Sequence, residues 1–241
     1  MVRNILITAG GTSEKIDEVR VISNFSSGRL GLTIAECFLE SETADVGKIY
    51  YLCDRNTIVP SDERVEVVRV LGVQGLLDAL KNLLETQKID AVIHAMAVSD
   101  YTVGQVTTME AVRAGAEASD RITTEGKISS ELDDLVIVLK RTPKVIGEIK
   151  KLRKETILVG FKLLSKVSKD ELIETGYKLL KKNDCDMVLA NDLSEISGDQ
   201  HVGYLISQDG EYEKLATKRQ IAERIVRNVE RLLVEKEEID Q

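Results

Sequence analysis

Ile5-Leu6-Ile7-Thr8-Ala9-Gly10-Gly11-Thr12, followed further on by Ile22-Ser23-Asn24-Phe25-Ser26-Ser27-Gly28-Arg29-Leu30, decides the fold class of this chain. The first stretch is a short apolar run that stops at a pair of glycines. Small and hydroxylated residues then open a segment in which Leu30, Ile34 and Phe38 fall on one face, with Ala35 and Leu39 beside it. An apolar run giving way to a 3.6-residue period reads as a strand, a connection and a helix packed on a sheet.

The rhythm repeats outward from there. Apolar runs at Ile49 to Cys53, Val65 to Val70, Asp90 to Ala95, Val136 to Leu139, Thr156 to Phe161 and Asp186 to Ala190 alternate with amphipathic stretches. That order predicts an α/β fold with a mostly parallel sheet flanked by helices. Thr142 before Pro143 reads as an N-cap with proline at the first helical position, and Ser168 with Glu171 and Thr217 with Gln220 have capping-box spacing. Asp209-Gly210, between Tyr204 to Ser207 and Glu211 to Leu215, predicts a C-terminal antiparallel hairpin. A last helix from about Thr217 carries Ile221, Ile225, Val229 and Leu232 on its buried stripe, and its acidic end, 235–241, is expected to fray. Residues 101–134 show little periodicity and are expected to form a long mobile loop within one domain spanning 1–241.

Composition narrows the function classes. Hydrophobic residues at 43% and charged residues at 31%, interspersed, describe a globular chain. A net charge of -8 argues against general nucleic-acid binding, which needs a basic surface, but leaves room for a small anion held by local N–H groups and a few cations. No apolar run approaches the roughly 20 residues of a membrane helix, and Met1-Val2-Arg3-Asn4 is no signal peptide, so a cytoplasmic protein without membrane partners is expected. Cys37, Cys53 and Cys185 are too widely spaced for a thiolate metal site and read as ordinary thiols.

In open parallel sheets ligands bind beyond the carboxyl ends of the strands, so the residues after each strand are the candidates. Gly10 and Gly11, with Ser26, Ser27 and Gly28 at a helix start, can bring backbone N–H groups to a phosphate; each group alone reads equally as an ordinary turn or cap. Asn24 between them has no evident folding need for its polarity. Met96, Ala97 and Asp100 follow the central strand, where Asp100 suits a ribose hydroxyl or an ion as well as a loop start. His94 reads as a packed core residue. Lys127 is a solvated lysine or a phosphate ligand, Phe161 a core residue or the flank of a base, and Lys178, Lys181 and Lys182 a wet helix face. Asn191-Asp192 also serve as turn formers.

Taken in order, these pieces resemble the phosphopantothenate-cysteine ligase family, also called phosphopantothenoylcysteine synthetase, over nearly the whole chain. The resemblance rests on Ile7 to Thr12, Asp17-x-Val19-Arg20-x-Ile22-Ser23-Asn24-x-Ser26-Ser27-Gly28, Ala97 to Tyr101, Lys127-Ile128, Thr142-Pro143, Val159 to Phe161 and Ala190 to Asp192. It implies a Rossmann-like homodimer. It also implies that a nucleoside triphosphate, commonly CTP with ATP as the other choice, activates 4'-phosphopantothenate before L-cysteine displaces the monophosphate. Under that resemblance Asn24 holds the acyl intermediate, Arg20 assists, and Lys127 with the Ser26-Ser27-Gly28 helix start faces the triphosphate. Magnesium is carried on the phosphates, with no metal ligands from the protein. Asp100 faces the nucleotide, Phe161 and the Met96-Ala97 backbone frame the base, and one of Lys178, Lys181 or Lys182 meets phosphate. Gly11 stands where many members have proline, and Ser129-Ser130 replace a further lysine pair. The stand-alone bacterial form is implied, with a separate decarboxylase as metabolic partner.

Two other classes compete. Tyr177 and Lys181 have the Tyr-x-x-x-Lys spacing of an NAD(P)-dependent short-chain-type reductase, and Asp54 follows a second strand. Against that, the Gly10-Gly11 turn lacks a third glycine at dinucleotide spacing. A nucleotide-sensing protein without turnover is the other alternative.

Overall fold

The structure, a computed structural model, describes residues 2–115, 122, 124–198 and 200–239. Among these, the main sheet has nine strands. Its path runs β11 (Ile196–Ser197), β12 (Gln200–Ser207), β10 (Met187–Asp192), β9 (Ile157–Leu164), β6 (Ala91–His94), β1 (Arg3–Ala9), β4 (Val46–Cys53) and β5 (Val65–Arg69), with β13 (Tyr212–Thr217) pairing β12. The pairs from β5 through β10 are all parallel, and β12 reverses direction against β10, so the predicted hairpin extends the sheet at one edge.

Both faces are covered, which is why the central strands read as unbroken apolar runs. Ile5 and Ile7 of β1 pack with Ile34 and Phe38 of α1 (Arg29–Glu40) and with Ile221, Ile225 and Val229 of α6 (Lys218–Ile239). Leu6, between them, turns to the other face and joins Leu76 and Leu80 of α2 (Gly72–Thr86), Ile149 of α4 (Ile146–Leu152) and Leu172 and Leu180 of α5 (Lys169–Asn183). Ser168 caps α5 by accepting the Glu171 N–H at 3.2 Å, and Thr217 accepts the Gln220 N–H at 3.2 Å. No helix among the described residues is long and apolar enough to cross a membrane.

Four local expectations are corrected. Residues 101–134 are not loop throughout: Tyr101–Thr108 form β7, Met109–Arg113 form α3, and β7 pairs antiparallel with β8 (Leu135–Arg141). Gly104 hides the alternation of β7, and the register shifts beside it. Val136 to Leu139 therefore belong to a ribbon outside the main sheet, and Val138 and Leu139 stay exposed. The expected loop's residues 116–121 and 123 lie outside the described residues. Thr142 caps no helix; its hydroxyl donates to the Ser99 carbonyl at 2.6 Å, and α4 begins only at Ile146. The acidic end stays helical through Ile239, tied by the Arg231 to Glu235 ion pair at 2.7 Å and by Lys236 donating to the Glu155 carbonyl at 2.8 Å. Residues 240–241 of that expected frayed end lie outside the described residues.

His94 closes β6 with its Nδ1 2.9 Å from the Thr8 hydroxyl, and burial pushes its pKa from 6.5 down to about 4. Because the folded ring resists protonation, the unfolded chain takes up the proton first as pH falls. Stability contributed by the neutral ring is therefore intact above pH 6.5, drains between 6.5 and about 4, and amounts to on the order of 3 kcal/mol. His201 is also pushed down to about 4 by burial, so it adds in the same window. Urea unfolding at neutral pH and near the lower limit should show a larger loss for the native chain than for His94→Gln. Equal losses would remove His94 as a source of acid sensitivity.

Candidate active site

The site is built where β1 and β6 end. Past Ala9, Gly10 takes a φ of 82°, and Gly11 and Thr12 lead into an inserted hairpin, β2 (Ser13–Lys15) against β3 (Val21–Ser23), that returns the chain at Asn24. Gly28, with a φ of 75°, then begins α1. The strands of this hairpin are only three residues each, too short to show a period, which is why the sequence did not reveal them.

Three segments are knit together around Ala97. Its N–H donates to the Gly10 carbonyl at 2.8 Å, and its own carbonyl accepts from the Thr12 N–H at 3.1 Å and from Asn24 Nδ2 at 3.2 Å. The Asn24 N–H donates to the Thr12 carbonyl at 3.2 Å, and the Ser99 N–H to the Thr12 hydroxyl at 2.9 Å. The glycine turn, Asn24 and the segment after β6 thus form one unit.

Thr57, from the β4–β5 connection, explains both left-handed glycines. A Cβ on Gly10 would fall 2.0 Å from Thr57 Oγ1, and one on Gly28 would fall 2.4 Å from Thr57 Cγ2. Gly31 sits against β1, where a Cβ would lie 2.6 Å from that of Ala9. Gly31 therefore does the close-packing job of a dinucleotide fingerprint's third glycine, and the inserted hairpin breaks the spacing by which a sequence scan would find it.

The hairpin is held from two sides. Glu14 accepts the Val73 N–H at 2.7 Å, at the start of α2, and the Thr102 hydroxyl at 2.6 Å, on β7. At the hairpin's tip the Asp17 carboxylate, 2% exposed as a residue, accepts the Val19 N–H at 2.8 Å, the Arg20 N–H at 2.7 Å and the Ile128 N–H at 3.1 Å. Burial pushes its pKa upward, but these donors and the Arg20 guanidinium outweigh it and hold the carboxyl below its ordinary value. Arg20 Nη2 donates to the Ile128 carbonyl at 3.1 Å, so Arg20 and the exposed Lys127 are brought together.

Other candidates fare unevenly. Asp100 is exposed at the strand end and engaged by Lys144, a residue no motif singled out. Met96 is buried with its N–H on the Thr8 hydroxyl at 3.3 Å, and both backbone groups of Ala97 are committed within the site, so the Met96-Ala97 backbone braces the crevice. Phe161 is half-buried on β9 against the core shared by α1 and α6. Ser26 and Ser27 are exposed before Gly28. Asn191 Nδ2 lies 3.3 Å from His201 Nε2, and Asp192 accepts the Ser194 hydroxyl at 2.6 Å and N–H at 2.7 Å, which hold its carboxyl well below the carboxylate range. All three cysteines are buried, and burial pushes Cys37 up to about 11 and Cys185 up to about 12, so neither is a thiolate at neutral pH.

The expectation for Lys178, Lys181 and Lys182 is corrected. The end of α5 lies beside the amino ends of β9 and β10, where the Asp186 N–H bonds the Leu158 carbonyl. Lys181 donates to the Gln208 carbonyl at 2.8 Å, Lys178 pairs with Glu174 at 2.6 Å, and Lys182 shares that last turn. They stand at the end of the sheet opposite the crevice. Tyr177, whose hydroxyl is 3.5 Å from the Gln208 carbonyl, stands there too, which removes the reductase's Tyr-x-x-x-Lys from any site at the strand ends.

A mostly parallel sheet with a glycine turn and a helix start meeting at its carboxyl edge defines a Rossmann-like α/β protein. The chain belongs to the family of the DNA/pantothenate metabolism flavoprotein C-terminal domain, which matches residues 1–125 and 111–233. It is similar to the Coenzyme A biosynthesis bifunctional protein CoaBC of Methanocaldococcus jannaschii, 32% identical over 243 residues, covering 95% of this chain and 51% of that protein. The protein of the same description from Thermococcus kodakarensis is 32% identical over 235 residues, covering 96% and 52%. The chain therefore spans about half the length of the curated relatives it matches. Among solved structures, the DNA/pantothenate metabolism flavoprotein from Streptococcus pneumoniae superposes with a TM-score of 0.84 at 34% identity, covering 95% of this chain and 98% of that one.

Proposed function

We propose that this chain is a ligase of coenzyme A biosynthesis that joins 4'-phosphopantothenate to L-cysteine through an acyl-nucleotide, with CTP as the activating nucleotide. The observation that carries this reading is the unit around Ala97, in which the glycine turn, Asn24 and the start of α1 meet at the carboxyl edge of the sheet. Relatives described as coenzyme A biosynthesis proteins support the substrate class.

In the first step a carboxylate oxygen attacks the α-phosphorus, the P–O bond to the β-phosphate breaks, and pyrophosphate leaves. A carboxylate is already ionised at neutral pH, so this step needs alignment and positive potential rather than a base. The start of α1 and Lys127 supply that potential. In the second step the cysteine amine attacks the acyl carbon, the C–O bond to phosphate breaks, the nucleoside monophosphate leaves, and the amine proton passes to solvent or a base. Asn24 Nδ2 has two hydrogens and spends one on the Ala97 carbonyl, so the other is free to hold the acyl oxygen. Magnesium rides on the nucleotide's phosphates, which offer the oxygens a hard dication takes.

The ligase acts as a homodimer. Val138 and Leu139 on the ribbon and Val19, Val21, Ile22 and Phe25 around the hairpin are exposed apolar surfaces suited to a second copy. A single-chain mass in sedimentation would contradict this. The product of this step still carries the cysteine carboxylate, which a decarboxylase activity would remove.

The direct test is incubation with CTP or ATP, phosphopantothenate and cysteine, following pyrophosphate and monophosphate. Substrate-dependent release of both is expected. Asn24→Asp should still release pyrophosphate while monophosphate release falls by about 100-fold, because a second carboxylate repels the acyl oxygen it replaces a donor for. Normal turnover by that variant removes Asn24 from its role; nucleotide binding without release of either product points to the sensor.

A further inference from the structure

Residues 122 and 124–134 contain no helix or strand among the described residues, so local structure does not set the pose of Lys127. Its neighbours are nevertheless placed. Ile128 is only 3% exposed, the Gly126 carbonyl accepts the Glu18 N–H at 3.2 Å, and further upstream the Ile122 N–H donates to the Val106 carbonyl at 2.9 Å. Beside the backbone bond from Glu18 to Gly126, one carboxylate ties the segment to the hairpin tip. Oδ1 of Asp17 shapes the turn through Val19 and Arg20, while Oδ2 accepts from Ile128 N–H and lies 3.4 Å from Arg20 Nη1. The same guanidinium closes the ring by donating to the Ile128 carbonyl.

We infer that Asp17 is a positioning residue that latches the Lys127 segment onto the β2–β3 turn, and that Arg20 works chiefly as the second half of that latch rather than as a substrate contact. The inference rests on the reading of Lys127 as a nucleotide-phosphate group. Only a carboxylate suits the place: every group facing Asp17 is a donor, so an amide would turn its NH2 either against the Val19 and Arg20 N–H groups or against the Ile128 N–H and the guanidinium. A docked segment presents Lys127 at one distance from the crevice, whereas a released one spreads it over many, and misplacement of about 1 Å costs about 100-fold in rate.

The test compares the native chain, Asp17→Asn, Lys127→Ala and the double variant in hydrogen exchange and in pyrophosphate release. Asp17→Asn should speed exchange at the Ile128 amide while the Ile5 and Ile7 amides of β1 stay protected. It should lower kcat by about 100-fold with the KM for phosphopantothenate within about threefold. On the Lys127→Ala background the same change should cost no more than about twofold, because the lysine it positions is already gone. Unchanged Ile128 exchange, or an equal loss of rate with and without Lys127, overturns the latch. Should Asp17→Asn fold poorly, Asp17→Glu keeps the charge, displaces it by one methylene and is read by the same measurements. If the native chain releases no pyrophosphate, the ligase reading fails by itself, and the Ile128 amide still decides whether Asp17 docks the segment.

Discussion

Lys127→Ala should lower nucleotide-dependent pyrophosphate release by about 10²- to 10³-fold, the range seen when one preorganised charge or donor is removed from a transition state. Lys127 is exposed, and its neighbours on both sides are anchored, so the ammonium reaches outward from a backbone that cannot drift far. In the proposed reaction, negative charge shifts onto the departing pyrophosphate oxygens as the carboxylate attacks, beyond what they carry in the bound nucleotide. The lysine therefore contributes most at the transition state, and kcat should fall more than the affinity for nucleotide. Helix integrity and melting temperature should not move, since the side chain buries nothing. A rate within about threefold of native would mean that the helix start alone supplies the needed potential.

Gly28→Ala should be, with Gly10→Ala, among the most damaging single changes at the helix start and glycine turn. A φ of 75° costs a residue with a Cβ about 1–2 kcal/mol. The added methyl would also lie 2.4 Å from Thr57 Cγ2 and 3.2 Å from the backbone nitrogen of Gly10. Thr57 is buried and cannot swing clear, so the start of α1 must move away from the glycine turn. Loss of about 2–4 kcal/mol of stability is expected from strain and overpacking together. Under the proposed function, turnover should drop by about 100-fold, because a displaced helix start would misalign the nucleotide it is proposed to hold. Thr57→Ala in the same chain should restore part of the stability by removing the steric contact, leaving the backbone cost in place. Denaturant unfolding of the native chain, Gly28→Ala, Thr57→Ala and the double variant measures both parts. A change below about 0.5 kcal/mol for Gly28→Ala would show that the turn tolerates a Cβ.

Much of the scaffold was legible before any coordinates. The central strands are apolar on both faces because helices cover both, so runs such as Ile5 to Ala9 stand out without alternation. Ser168 and Thr217 announced two helix starts, and Asp209-Gly210 the hairpin. Thr142 misled because a hydroxyl before proline looks the same whether it caps a helix or, as here, bonds a distant carbonyl. The ribbon escaped because β7 alternates weakly around Gly104 and pairs outside the main sheet.

The candidate site divides along the same line. The special character of Gly10, Asn24 and Gly28 was readable because it is local, and the inserted hairpin is what brings these three together. Lys178, Lys181 and Lys182 were misplaced because periodicity names the face of a helix, whereas the end of the sheet it reaches follows from the direction in which α5 returns to β10. Thr57, Glu14 and Asp17 gain their importance from partners far along the chain: two glycines, the first turn of α2, and the Ile128 amide. Strand, helix and turn identities are properties of neighbouring residues and were already present in the order of amino acids. That Lys127 lies beside Arg20, and that the Asp17 carboxylate binds the Ile128 amide next to it, came only with packing, because hydrogen bonds and steric fit act through space.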